Sequence, residues 1–297
     1  MSCSAPESSR RWAYAAMFFN VVAWGMSWVN VRAVLPEVGS GQLGALRYLI
    51  ASAVMLPVWL IRGRPLPARS DWPAVGALGL FGFCLYNLGI NYGERTVNAG
   101  TGSMLISCIP VLVLLLGWLT GREKVSLLSA LGIGVAMVGV GLTAAGSDSG
   151  LTLNLGALLI LGAAGCAAIQ TLISKSLALR YPAIDVTTWA IWLGTLGLLP
   201  FSHDLAATTG RLTGLGWVHL IFLGTVPAAL CYTIWSWVLT RLPIATVMSA
   251  VYAIPVFSVF FGWLILGERP SLLTLLGGAV TLVGVAWVQS TTRRQAS

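Results

Sequence analysis

A chain of 297 residues that is 57% hydrophobic and only 9% charged is too apolar for a soluble domain, where about a quarter of the residues carry charge. Too few polar side chains remain to cover a water-facing surface, so a soluble enzyme, a disordered tail and a fibre are excluded and a polytopic helical membrane protein remains. The net charge of +8 does not call for nucleic acid as a partner, because Lys and Arg flank apolar runs, where they anchor helix ends and set orientation.

One helix needs about 20 apolar residues to cross a bilayer. Apolar runs predict ten spans, at roughly 12–32, 42–61, 72–92, 98–119, 125–145, 155–175, 185–203, 215–239, 244–266 and 271–290. The breaks between them are short, and only 203–214 is longer. The expected organisation is an N-terminal tail (1–11), a first five-helix repeat (12–146), a linker (147–154), a second repeat (155–290) and a C-terminal tail (291–297). The leader MSCSAPESSR lacks a small-residue cleavage site, so the first span reads as a retained helix and not a secretory signal.

Basic residues set the expected orientation. With the N-terminus inside, twelve Lys and Arg, among them Arg10, Arg62, Arg122, Lys175, Arg241 and Arg293, fall on the inner side. Four fall outside: Arg32, Arg95, Arg211 and Arg269. This bias predicts that both termini are cytoplasmic, in a multi-pass protein of a bacterial inner membrane.

The chain also repeats itself at an offset of 145. IPVLVLLLGWLTGREKVSLLSALGIGVAMVGV (109–140) aligns without gaps to IPVFSVFFGWLILGERPSLLTLLGGAVTLVGV (254–285), and 17 of the 40 positions from 101 to 140 are identical to their counterparts. Pro110 meets Pro255, Trp118 meets Trp263, Glu123 meets Glu268 and Gly139 meets Gly284. Five spans per copy is an odd number, so the second copy is expected upside down relative to the first. Inverted repeats suit carriers, since two pseudo-symmetric states give alternating access.

Three segments carry a family resemblance: VAWGMSWVNVRAV in span one, RLPIATVMSAVYAIPVFSVFFGWLILGERPS across spans nine and ten, and the degenerate copy ISCIPVLVLLLGWLTGREKVS. With these the chain resembles the drug/metabolite transporter superfamily, in its ten-helix EamA-type branch. The resemblance implies an all-α basket of two inverted five-helix repeats, with spans one, three, four, six, eight and nine around a central cavity. It also implies outward transport of amino acids, other metabolites or toxic compounds. The abundance of Trp and Tyr is most similar to the branch members that export aromatic amino acids.

The ionisable residues narrow the chemistry. All nine acids, Glu94 and Glu268 among them, map to tails, breaks or span ends. Charge within a bilayer marks function, and a mid-membrane carboxylate that could pair with a cation or titrate is not supplied. A zwitterionic amino acid moved by a facilitator is therefore the expectation; a multidrug or other metabolite exporter, proton-coupled in one version, is the alternative. Arg47 falls within span two, where it either meets a substrate carboxylate or snorkels or pairs with Glu37 or a carbonyl near the outer interface. The second is preferred. His219 and Lys175 read as interfacial. Cys84, Cys108, Cys166 and Cys231 lie in apolar runs, without a CxxC pair, and neither a P-loop nor an HExxH occurs. No cofactor, metal or enzymatic activity is expected.

Neutral polar groups supply the candidate binding site. Asn20, Trp24, Ser27 and Trp28 follow helical spacing in span one and can share a face. Span three adds Tyr86, Asn87 and Asn91, span four Ser107, span six Gln170, span eight Tyr232 and Trp235, and span nine Tyr252. An unpaired amide in lipid costs several kcal/mol, so these groups face protein, water or substrate. Trp12, Trp72, Trp217 and Trp287 are expected at the membrane interfaces. Pro110 and Pro255, at matched positions in spans four and nine, read as hinges or static kinks.

Overall fold

The computed structural model describes residues 7–120, 127–146, 155–177, 180–239, 241–242, 250 and 252–296. Among them every regular element is helical. This is the outcome lipid imposes, because a backbone without water must satisfy its polar groups within its own segment. The first five elements are α1 (Glu7–Val34), α2 (Ser40–Ile61), α3 (Trp72–Gly79), α4 (Tyr86–Gly93) and α5 (Ala99–Ile106). Next come α6 (Ile109–Leu119), α7 (Leu127–Ala145), α8 (Leu155–Leu177), α9 (Ala183–Leu198) and α10 (Leu205–Arg211). The last are α11 (Gly214–Thr225), α12 (Cys231–Leu239), α13 (Ile254–Phe261) and α14 (Leu272–Ala296). The 121–126 turn, the 147–154 linker with Asp148, and 243–249 with Ser249 lie outside the described residues.

Among the described residues six helices are long and apolar enough to cross a membrane: Ser40–Ile61, Arg69–Gly93, Ala99–Leu119, Leu155–Ser174, Ile184–Phe201 and Gly214–Trp235. Ala130–Thr143, Ile254–Leu266 and Leu272–Val288 are shorter apolar helices. The 28 residues of α1 are long enough, but Asn20, Ser27 and Asn30 dilute its apolarity. Large apolar side chains face outward throughout, Phe18, Leu119, Val218 and Leu272 among them, as expected where the surroundings are hydrocarbon. Trp12, Trp217 and Trp287 share that exposure. Trp72 does not simply face lipid: its ring lies 4.9 Å from Trp189, within a cluster that includes Trp59 and Trp192.

Where the structure describes them, the helix edges fall within about six residues of the expected span edges, and the interiors of the spans depart further from expectation. α1 starts five residues before the expected edge at 12, and the 203–214 break contains the short α10. Span three passes through a π turn at Leu80–Leu85, and span eight through another at Val226–Leu230. Span four breaks at Ser107–Cys108, so Pro110 enters in the first turn of α6, where its missing N–H leaves no bond unmade. Pro255 occupies the same place at the start of α13. Pro57, by contrast, sits inside unbroken α2.

The longest helix–helix seam joins α7 to α14, the equivalent helices of the two sequence repeats. A Cβ on Gly139 would lie 2.3 Å from the Thr281 backbone nitrogen, and one on Gly284 would lie 2.4 Å from that of Ala136. Likewise Gly132 abuts Val288, and Gly277 abuts Thr143. Ascending residues of α7 meet descending residues of α14, so the two helices run antiparallel. Each contact recurs with the partners exchanged at the offset of 145, which is the pattern of a two-fold axis. A second pair repeats in the same exchanged way, with α2 and α9 matched at an offset of 143. Gly79 of α3 abuts the Ala190 carbonyl and Leu193 of α9, and its counterpart Gly224 of α11 abuts the Arg47 carbonyl and Ile50 of α2.

Candidate functional site

Ion pairs tie the loops together at both ends of the bundle. At one end the Arg32 Nε donates to Glu268 Oε1 at 3.2 Å, and its Nη1 donates to the Glu94 carbonyl. Glu268 Oε2 accepts from the Ala99 N–H at 2.9 Å. Gly267, at φ +68°, supplies the left-handed turn that presents Glu268 there. At the other end Arg62 forks onto Asp185 (Nη2 to Oδ2, 3.0 Å), and Asp71 accepts from Arg180 and, at 2.6 Å, from the Tyr181 hydroxyl. The carboxylate of Asp185 holds the Arg62 pKa above its ordinary value.

Between these ends the predicted site residues divide in two. Asn20, Ser27, Trp28, Asn87, Asn91 and Ser107 are buried, whereas Trp24, Tyr86, Gln170, Tyr232, Trp235 and Tyr252 are half-buried. The π turn of span eight explains part of the gathering, because such a turn frees carbonyls. Trp24 Nε1 donates to the Pro227 carbonyl at 3.3 Å, and Asn20 Nδ2 donates to that of Cys231 at 3.0 Å. The Trp24 ring then meets Trp235 (5.1 Å) and Tyr232 (5.8 Å). Tyr232 meets Phe83 at 5.2 Å, and Phe83 meets Tyr48 at 5.7 Å. These rings form one series from α12 and α1 across span three to α2, ending at the Arg47 guanidinium, 5.7 Å from the Tyr48 ring.

Arg47 is where the structure departs most from expectation. It is buried, and among the described residues neither Glu37 nor a backbone carbonyl accepts from it. Glu37 is committed elsewhere, accepting from the Thr213 N–H at 2.7 Å and its hydroxyl at 2.8 Å. Arg47 Nη1 instead donates to Asn87 Oδ1 at 3.1 Å, while Asn87 Nδ2 donates to the Tyr48 hydroxyl (2.9 Å) and the Phe83 carbonyl (3.0 Å). Asn91, one turn further along α4, donates to the Ser40 carbonyl at 3.1 Å.

Other predicted residues are not gathered. Trp28 turns to α5, its ring 2.7 Å from a Cβ position on Gly102. Ser107 bonds back to the Ser103 carbonyl at 2.9 Å. Tyr252 packs with Val111, Ala136, Val285 and Val288 on the α7–α14 seam. Gln170 lies over Gly82 of the span-three π turn. His219 is not merely interfacial, since its Nδ1 lies 2.6 Å from Asn30 Oδ1. A cleft of about 320 Å³ opens between α3, α6 and α8, lined by Ala74, Leu116, Thr120, Ile169, Leu172, Ile173 and Ser176.

Sequence reasoning missed Tyr48, Phe83 and above all Glu94. Glu94 does lie at a span end, as expected, yet it is fully buried and both carboxylate oxygens lack a hydrogen-bond partner. Burial, then the nearby Glu268, push its pKa well above the usual carboxylate range, against the opposing charges of Arg32 and Arg47. The only available signal was its spacing: Asn87, Asn91 and Glu94 fall four and three residues apart, on one helical face.

Comparison with known proteins follows this geometry. The sequence profile of the EamA-like transporter family matches twice, over residues 11–145 and 154–289. The chain is 30% identical over 264 residues to "Uncharacterized transporter YdfC" of Bacillus subtilis (strain 168), covering 89% of this chain and 86% of that protein. It is 29% identical over 286 residues to the "Probable terminal-alkyne amino-acid exporter" of Streptantibioticus cattleyicolor, covering 95% and 96%. A crystal structure superposes with a TM-score of 0.66 at 20% identity, over 96% of this chain and 99% of that one, which shows the likeness of fold.

Proposed function

The chain belongs to the EamA-like transporter family, a multi-pass membrane transporter and not an enzyme, and from that premise we propose that it exports small zwitterionic metabolites, amino acids with aromatic or hydrophobic side chains foremost. The observation that carries this reading is the ring series Trp235–Trp24–Tyr232–Phe83, in which helices of both repeats meet around half-buried aromatic and amide groups. An ammonium rests favourably over such rings, and an apolar side chain packs along them. The Streptantibioticus cattleyicolor relative named as an amino-acid exporter supports the same substrate class. The resemblance to exporters of aromatic amino acids belongs to this proposal.

Alternating access follows from the proposed architecture of ten helices in two inverted repeats. The exchanged glycine contacts of α7 with α14, and of α3–α9 with α2–α11, support it. Both termini are proposed to be cytoplasmic, in a bacterial inner membrane, with the Arg62–Asp185 end inside and the Arg32–Glu268 end outside. The breaks before Pro110 and Pro255 are the proposed hinges. A single chain contains every group the reading needs.

Glu94 favours a second version of this function. A buried carboxyl that titrates above the usual range is what proton coupling requires, so the same exporter runs either as a facilitator or against a proton. Proteoliposomes loaded with labelled amino acids decide. Facilitated export proceeds without a pH gradient; transport that appears only with an acid compartment opposite the substrate establishes coupling. No movement of any amino acid under either condition overturns the proposed substrate class.

A further inference from the structure

We propose that Arg47 is the carboxylate-recognising residue of the transport site, so that the substrate class is defined by a carboxylate and not by an ammonium alone. This rests on the amino-acid reading above and names the group that reads one end of the substrate.

A guanidinium removed from water is costly unless a counter-charge or a full set of acceptors replaces the lost hydration. Arg47 is 7% exposed, and its position seven residues into α2 puts it about 10 Å beyond the start of the helix. Among the described residues no carboxylate forms an ion pair with it, and its Nε has no hydrogen-bond partner. Glu94 lies within electrostatic range, and so do Tyr86 and Tyr232 of the aromatic series, but none of them bonds to it. Nor is the side chain loosely held. Asn87 aims its oxygen at Nη1, because its amide nitrogen is already committed to Tyr48 and Phe83.

The scaffold itself gives no reason for the charge. The counterpart of Arg47 in the other half is Ala190, because the Ala190 carbonyl abuts Gly79 as the Arg47 carbonyl abuts Gly224, and Ala190 is buried in an apolar cluster. The backbone contacts repeat between the two halves and this side chain does not. An arginine held in orientation, with an unpartnered N–H and no anion, is matched by a planar carboxylate, which two of its donors can grip at once. The ring series beginning at Tyr48 then lies where the rest of an aromatic amino acid would extend.

Equilibrium binding to the purified, detergent-solubilised protein tests this with three labelled probes: L-phenylalanine, phenylacetate and phenethylamine. The expected result is that the two carboxylates bind and the amine does not. In Arg47→Gln both carboxylates weaken by about 10- to 100-fold, and Arg47→Lys restores part of the loss. Should Arg47→Gln fail to fold, the ranking of the three probes on the wild-type protein decides. Phenethylamine binding as tightly as L-phenylalanine to wild type, or Arg47→Gln binding L-phenylalanine like wild type, overturns the role of Arg47 and leaves the amino-acid reading standing. Failure of wild type to bind either carboxylate, together with no amino-acid transport in proteoliposomes, overturns both.

Discussion

The α7–α14 seam and the aromatic centre solve opposite problems with the same kind of helix. Along the seam, glycines let backbones touch, and the polar side chains turn inward on their own helices: Thr143 Oγ1 donates to the Gly139 carbonyl at 2.9 Å and Thr281 Oγ1 to that of Gly277 at 3.0 Å. At the centre, polar groups reach between helices, and Asn20 Oδ1, Arg47 Nε and Asn91 Oδ1 remain buried without hydrogen-bond partners, as do Thr101 Oγ1 of α5 and, at the Arg32–Glu268 end, both Glu94 oxygens. A native interior leaves few such atoms. Most of them lie on α1, α2 and the end of α4, the part of the protein poised for a ligand or a proton, whereas the seam holds its shape.

The largest expected effect breaks the seam. Gly139→Leu places side-chain carbons against the Thr281 backbone, where overpacking costs about 1–3 kcal/mol or more. A steep loss of melting temperature and of monodisperse protein on size exclusion is expected; a wild-type melting curve would show that the seam is not the scaffold.

The next sharpens the centre. Trp24→Ala removes the ring that joins Trp235 to Tyr232 and should raise the transport KM about 2- to 10-fold with little change in melting temperature. The reverse pattern would make Trp24 a packing residue.

Glu94 offers a pH test whose sign is fixed. Its pKa is raised in the folded protein, so its protonated form favours folding below the ordinary carboxylate pKa. That contribution is lost as the pH rises through the higher folded value. Wild type should therefore lose stability relative to Glu94→Gln as the pH climbs from about 4.5 towards neutrality. Parallel stability profiles for the two proteins would show that Glu94 does not titrate in this way.

The smallest effect is expected at the Arg62 end, where the Arg62 side chain is 38% exposed. Arg62→Ala should cost no more than about 1 kcal/mol. A change in the direction or rate of transport without a change in stability would identify the pair as a gate.

The sequence by itself placed the apolar helices, to within about six residues at the described edges, because a hydrocarbon core sets both their length and their apolarity. It also determined the internal repeat, whose Pro, Trp, Glu and Gly positions recur in register. It placed Asn20, Trp24, Tyr232 and Trp235 together, because helical spacing and depth within a span are both readable from residue number. Only the tertiary structure decided which neighbour each polar group found. Arg47 was expected to snorkel or to pair with Glu37 or a carbonyl near the outer interface, yet Glu37 turned to Thr213 and left Arg47 to Asn87. Glu94 occupied the expected polar break and was sealed there by packing. Tyr48 and Phe83 joined the centre from span two and from a π turn, and neither connection leaves a local signal. Periodicity reports which face a residue occupies; burial and pairing depend on what the opposing helix brings to that face.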